Sequence, residues 1–283
     1  MTVLRALVLV ISLTLVTAVG IVIQFALAGL GLPAARSFPM RYHRTVCRLI
    51  GLRIDLRGAV CEARPLLIVS NHVSWLDIPV IGSLVPLSFV AKQEVARWPV
   101  FGLLARMQRS VFIDRSRRGT HEANHALAQR LMAGEVIVLF AEGTSSDGNR
   151  VLPFKTPILG AAERAVRESH LAEVAVQPMA IAYTRRHGLP IDRAGRPSYA
   201  WYGEMDLLPH IWGVLTHGPI NVSVALGPVH PATEFADRKA LARALEAEVR
   251  RMFTAEVYGT PPRTETKARG KEDLAPAYRA GRA

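Results

Sequence analysis

The chain opens on an unbroken apolar stretch. Across residues 6–32 the only strongly polar side chain is Gln24, and the remainder is almost entirely Leu, Val, Ile, Ala, Gly, Ser and Thr. As a helix this stretch would run roughly 40 Å at about 1.5 Å per residue, more than the about 30 Å of a bilayer core. The pattern therefore predicts a hydrophobic membrane anchor over residues 1–35. A cleaved signal peptide is the competing reading, and Ala26-Leu27-Ala28 has the small residues of a cleavage site. Its apolar part, however, far exceeds the roughly 7–15 residues of a signal core. Arg36, Arg41, Arg44, Arg48, Arg53 and Arg57 follow directly, and such a flank resists export and stays cytoplasmic. The anchor is expected to be retained, with the bulk of the chain on the cytoplasmic face of the inner membrane. Gly20, Gly29, Gly31 and Pro33 are candidate bends, so a single span and a bent hairpin in one leaflet both stay open.

Residues 36–57 interleave those arginines with Phe38, Met40, Tyr42, Val46, Leu49, Ile50 and Leu52. This predicts a basic amphipathic helix within a membrane-surface segment, residues 36–62, lying on anionic headgroups. A solvated arginine face covering the core is compatible with it. Beyond lie short apolar, β-branched runs at 66–70, 87–91, 110–113, 136–140, 174–181 and 221–226. Helical patterns at 75–84, 120–133 and 157–169 alternate with them. The alternation predicts an α/β domain over 63–258, with a mixed, largely buried sheet flanked by helices. A closing amphipathic helix is expected over 231–253, where Leu241, Leu245, Val249 and Phe253 recur every four residues. Residues 259–283 have almost no large apolar side chain and read as a disordered basic tail. No internal repeat is present.

Composition narrows the class. Half of the 283 residues are hydrophobic, enough to bury a core, and Cys47 and Cys61 are too few to frame a disulfide scaffold. A net charge of +12 calls for a polyanionic partner. With an apolar anchor next to the arginines, anionic lipid accounts for that charge. No zinc-finger spacing or RNA-binding aromatic signature points to nucleic acid.

The candidate chemistry starts where the first buried run, residues 66–70, meets Asn71-His72-Val73-Ser74-Trp75-Leu76-Asp77. A histidine just past a strand sits where α/β folds place their sites. On a continuous helix His72 and Asp77 would point about 140° apart, so they meet only across a turn. Ser74-x-x-Asp77 reads as a helix N-cap pair that supplies one. Asp77 would then fix the imidazole tautomer and raise the basicity of its other nitrogen, making His72 a general base for a hydroxyl. On spacing alone, a capping Asp77 beside a satisfied strand-end histidine fits equally well.

Asn-His-x-Ser-x-x-Asp after a strand resembles the first motif of the glycerolipid acyltransferases, the 1-acylglycerol-3-phosphate acyltransferase family, and further motifs follow in order. Phe89-Val90-Ala91-Lys92-Gln93-Glu94 resembles the segment whose lysine approaches the acceptor phosphate. Val111-Phe112-Ile113-Asp114-Arg115 resembles the block whose arginine binds it. Phe140-Ala141-Glu142-Gly143-Thr144 and Val176-Gln177-Pro178-Met179-Ala180-Ile181 resemble the third and fourth blocks. The likeness covers roughly residues 65–185. It implies transfer of a fatty acyl chain from an acyl-carrier protein or coenzyme A thioester to a lysolipid hydroxyl. His72 and Asp77 would be catalytic, and Lys92, Arg115, Glu142, Gly143 and Thr144 would bind substrate. No metal and no organic cofactor are implied; the thioester is a substrate.

The primary acceptor implied is 1-acylglycerol-3-phosphate, giving phosphatidic acid. Two departures bear on it. Ser145 stands where the third block usually carries arginine, and Arg109 where the second opens with glycine; Arg109 could restore the missing charge. Ser145-Ser146-Asp147-Gly148 and Trp201-Tyr202-Gly203-Glu204-Met205 look more like the branch acylating lyso-ornithine lipid, whose zwitterionic headgroup has no phosphate. A remote alternative is His121-Glu122-Ala123-Asn124-His125, which satisfies the His-Glu-x-x-His zinc-peptidase pattern. Both histidines lie away from the apolar stripe of Ala123, Leu127 and Leu131, and no third-ligand motif follows, His170 and Glu173 being the only candidates.

Overall fold

A computed structural model describes residues 2–113, 117–159 and 174–259, and of residues 117–124 and 157–158 the backbone alone. Two helices, α1 (Thr2–Gly29) and α2 (Ala34–Ile50), precede an α/β core. The core comprises β1 (Leu52–Arg57), β2 (Leu66–Ser70), α3 (Asp77–Gly82), β3 (Ser88–Lys92), α4 (Phe101–Met107), β4 (Val111–Ile113), α5 (Arg117–Met132) and β5 (Val136–Phe140). It continues with β6 (Ala175–Arg186), β7 (Leu189–Pro190), α6 (Leu207–His217), β8 (Ile220–Leu226), β9 (His230–Pro231) and α7 (Arg238–Tyr258). The strands form one mixed sheet in the order β1-β8-β6-β2-β5-β3-β4, with β7 and β9 also paired to β6. Along this order only the β8–β6 seam is antiparallel.

Strand β2 is central and buried on both faces. Leu66 and Ile68 face a core shared with Ala6, Leu9, Val46, Ile50, Val80 and Leu215 of the α1, α2, α3 and α6 side. Leu67 and Val69 face Leu127 and Leu131 of α5 and Leu241, Leu245, Val249 and Phe253 of α7. Side chains alternate across a strand, so a two-sided core demands the unbroken apolar run that residues 66–70 show.

Helix α1 is apolar enough to cross a membrane, yet it is tied to the rest of the chain along its length. Arg5 donates through Nη1 to the Leu215 carbonyl at 2.6 Å and through Nη2 to that of Ile50 at 3.0 Å. Both carbonyls lie in the last turns of helices, where their partial negative charge suits a guanidinium. Thr17 shares a 2.8 Å hydrogen bond with the Tyr42 hydroxyl, and Gln24 Nε2 donates to Ala35 at 3.0 Å. With Gly31 at φ +65° in the connecting turn, α1 and α2 form an antiparallel helical hairpin.

Three expectations change. The basic helix does not run to residue 57: it stops at Ile50 against left-handed Gly51 (φ +87°), and 52–57 becomes β1, parallel to β8. The sheet thus begins before residue 63. The closing helix starts at Arg238, not at 231, because Asp237 Oδ1 accepts from the Lys239 and Ala240 amides at 2.8 and 2.7 Å, an N-cap, while 230–231 pairs with β6. Of the helix expected over 157–169, a short 3₁₀ turn at Thr156–Leu159 is described; residues 160–173 and the tail from 260 lie outside the described residues. Helices α4 and α6 had no counterpart in the sequence patterns singled out above.

Candidate active site

The turn between β2 and α3 is organised by one buried carboxylate. Asp77 is fully buried. Its Oδ2 accepts from His72 Nδ1 at 2.7 Å, from the Val73 amide at 2.7 Å and from the Ser74 amide at 3.0 Å. Its Oδ1 accepts from the Tyr183 hydroxyl at 2.6 Å. An ionised carboxylate is acceptor-only, so these contacts fix the proton of His72 on Nδ1 and leave Nε2 as the acceptor. The imidazole keeps about a fifth of its surface exposed (21%), enough for a substrate hydroxyl to reach it. Only half of the expected capping pair forms: Asp77 receives the Ser74 amide, while Ser74 Oγ caps nothing.

Neighbouring elements hold the turn from other sides. Asn71 is fully buried and exchanges two bonds with Ile181 of β6, at 3.0 Å from Nδ2 and 2.9 Å to Oδ1. The Phe140 ring stacks on His72 at 4.0 Å between centroids and 19° between planes, and Phe89 stacks in turn on Phe140. Glu142 lies beneath, 1% exposed, with Oε2 accepting from the His72 amide at 3.3 Å and Oε1 from the Leu152 amide at 2.9 Å. Both oxygens are engaged by backbone, which supports the loop-structuring role of Glu142 over direct contact with an acceptor. Burial pushes its carboxyl up to about 8 against the opposing pull of those two amides.

That shift has a sign. A folded-state value raised above the ordinary carboxylate range contributes stability that is full below that range and is lost as pH rises through about 8. Glu142→Gln, neutral at every pH, is expected to flatten the fall in Tm between pH 5 and 8.5. A melt series in which variant and wild type keep parallel pH slopes would contradict this.

Tyr183 has no sequence signature that marks its role. Its hydroxyl is pushed up by burial and by the adjacent Asp77 carboxylate, so it stays protonated and donates. Tyr183→Phe removes one of four donors from a buried charge. It is expected to cost about 1–3 kcal/mol of stability and to lower kcat several-fold with acceptor KM unchanged. Wild-type kcat in steady-state assays would show that the bond does not orient His72.

The remaining candidates divide by sheet edge. Lys92 ends β3, and Gly143 and Thr144 follow β5; all three lie at the C-terminal edge that carries His72. Lys92 and Thr144 are exposed, and Gly143 takes φ +68° in a turn closed by its amide on Phe140 at 3.1 Å. Arg115 lies outside the described residues; Ile113, two before it, is the register partner of Lys92. Arg109 is at the opposite edge, so it does not restore the missing charge. Its Nη1 pairs with Glu135 Oε1 at 3.1 Å, just ahead of β5, and Arg130 pairs with the same carboxylate at 2.6 Å. Arg109 sits at φ +58°, a conformation that glycine adopts freely.

Ser145 has a structural partner: its hydroxyl donates to the Trp201 carbonyl. The Trp201 amide donates to Val73 at 2.9 Å and the Ser146 amide to His72 at 2.9 Å. The segment around 201 thus ties the His72 turn to the 142–148 loop. As for the zinc-peptidase pattern, His121 and Glu122 side chains, His170 and Glu173 lie outside the described residues. The exposed His125 has its Nε2 at 3.1 Å from Gln129 Nε2. No group of three His, Cys, Asp or Glu side chains among the described residues could hold a metal.

A buried aspartate that holds a partly exposed histidine at a strand end, with Nε2 facing outward from that bond, has the geometry to accept a proton from a hydroxyl. Residues 53–182 match the family model described as Acyltransferase. A lyso-ornithine lipid O-acyltransferase of Brucella abortus is 52% identical, over 79% of this chain and 84% of that protein. One from Rhizobium meliloti is 42% identical over 92% and 88%. A 1-acyl-sn-glycerol-3-phosphate acyltransferase of Neisseria gonorrhoeae is 34% identical over 71% and 74%. The chain belongs to the Acyltransferase family and is an acyltransferase of the lysolipid type. Its fold matches the crystal structure of the LPA acyltransferase PlsC from Thermotoga maritima, with a TM-score of 0.64, 23% identity, and coverage of 89% of this chain and 96% of that one.

Proposed function

We propose that the chain acylates lyso-ornithine lipid to give ornithine lipid, at the cytoplasmic face of the inner membrane. The carrying observation is the fate of position 145: a serine hydroxyl engaged with the Trp201 backbone stands where a phosphate-binding branch carries a cation. The 52% and 42% identities to lyso-ornithine lipid O-acyltransferases support the same acceptor. In this reading the acceptor hydroxyl donates to His72 Nε2. As its oxygen bonds to the thioester carbonyl carbon, the proton passes to Nε2. The tetrahedral intermediate then collapses, the C–S bond breaks, and the departing thiolate takes the proton back from His72. Asp77 stabilises the imidazolium between those steps. Neither a metal nor an organic cofactor is needed, and the acyl donor, an acyl-carrier protein or coenzyme A thioester, is consumed as substrate.

Phosphatidic acid synthesis is the second reading, favoured by the 34% identity to the Neisseria protein and by Lys92 at the active edge. Purified, detergent-solubilised protein offered each donor with lyso-ornithine lipid or lysophosphatidic acid separates them. Ornithine lipid as the dominant product is the expected result; turnover of lysophosphatidic acid alone would overturn the proposal.

A further inference from the structure

Three of the four tryptophans, Trp98, Trp201 and Trp212, lie along one apolar strip flanked by α6 and α4, both of which reach α1. At one end, α6 packs against the start of α1, where Arg5 is bonded to Leu215. The outer face of α6 presents Leu208 at 74% exposure and Trp212 at 40%, four residues apart and therefore on one side. Met205, 41% exposed, precedes the helix, and its carbonyl accepts the Trp201 indole N–H at 2.8 Å. The Trp201 ring meets Trp98 edge-on at 5.9 Å. Two residues on, Val100 is 54% exposed at φ +60°, a conformation costly for a β-branched side chain, at the tip of a tight turn. The following helix, α4, returns to α1, with Gln24 Nε2 3.5 Å from the Met107 carbonyl.

From this we infer that the strip of Val100, Trp98, Trp201, Met205, Leu208 and Trp212 docks on the bilayer beside α1, so that the acceptor enters the site sideways from the leaflet. The inference rests on the membrane reading above and adds a surface to it. The occupant is lipid because the strip is continuous with α1, whose own outward face is apolar from Val3 to Phe25. Tryptophan favours the headgroup boundary, where its ring is apolar on one side and its N–H wet on the other. The same strip reaches the chemistry: the Trp201 amide bonds Val73, next to His72, and Trp75 Nε1 donates to His210 of α6 at 3.0 Å. α6 and the Trp201 segment thus both bond to the turn that carries His72.

The test uses the full chain in phosphatidylglycerol vesicles with brominated acyl chains. In variants keeping one tryptophan each, the others changed to phenylalanine, Trp212 and Trp98 are expected to be quenched more strongly than Trp75. Equal quenching of all three would overturn the inference while leaving the membrane reading intact, whereas failure of the protein to sediment with vesicles would overturn both. A second measurement guards against altered folding in the tryptophan variants. Leu208→Asp, an exposed substitution, should raise KM for a long-chain acceptor in vesicles about tenfold and leave turnover of a short-chain acceptor dissolved in buffer unchanged. Equal effects on both acceptors, or none on either, would contradict docking.

Discussion

Replacing His72 by alanine is expected to lower kcat by about 10²–10⁴-fold, the ordinary contribution of a positioned general base, while leaving the fold intact. The reasoning is geometric. Nε2 is the unengaged nitrogen of a side chain whose Nδ1 is bound at 2.7 Å to a buried carboxylate, and the imidazole is partly exposed. Removing it takes away the proton acceptor, the ring stacked on Phe140 and one of four donors to Asp77, which keeps the Val73 and Ser74 amides and the Tyr183 hydroxyl. The variant should therefore stay folded and lose about 1–3 kcal/mol of stability, as for Tyr183→Phe. A folded His72→Ala protein with near-normal kcat would eliminate the mechanism.

The second large effect belongs to Asp77→Asn, and it combines catalysis with stability. Asparagine offers one carbonyl oxygen where the carboxylate serves four donors. Its amide nitrogen must then face the Tyr183 hydroxyl or the turn amides, and against the latter it opposes donor to donor. With the amide nitrogen on the turn side, Nδ1–H is no longer accepted, and the imidazole can carry its proton on Nε2 and present a donor to a hydroxyl that needs an acceptor. A loss of about 10²–10⁴-fold in kcat is expected together with a clear drop in Tm, since a hydrogen bond to a buried charge is worth about 1.5–3 kcal/mol. Kinetics and a thermal melt on one preparation check both halves. Loss of stability with kcat retained would reduce Asp77 to the capping role that its spacing alone also allowed.

Much of this site is legible in the sequence. The β2 run could bury both faces only in the middle of a sheet, and a turn was required between His72 and Asp77 for the two to meet. What stayed hidden has identifiable causes. Tyr183 lies 106 residues from Asp77, directly after the apolar run Met179–Ala182 of β6, and no local pattern marks which side chain of the strand reaches the carboxylate. The six residues of β1 alternate Leu52, Ile54 and Leu56 with charged neighbours. Placed directly after an arginine-rich helix, they continued its amphipathic look; Gly51, left-handed at φ +87°, was the available stop signal. Arg109 looked like a replacement charge because sequence order does not tell which edge of a sheet a residue occupies. The register of β3 and β5 puts it beside Glu135, on the far side from His72.

Direct transfer of an acyl chain from a thioester to a lysolipid hydroxyl, with His72 as general base, is tested by one labelling measurement. Wild type and His72→Ala would be mixed with an acyl thioester labelled in the acyl chain, with and without lyso-ornithine lipid, quenched in acid, and separated into lipid and protein. Direct transfer puts label in the lipid only, for the wild type only, and none on the protein in any reaction. Label bound covalently to the chain, or equal transfer by His72→Ala, would contradict it.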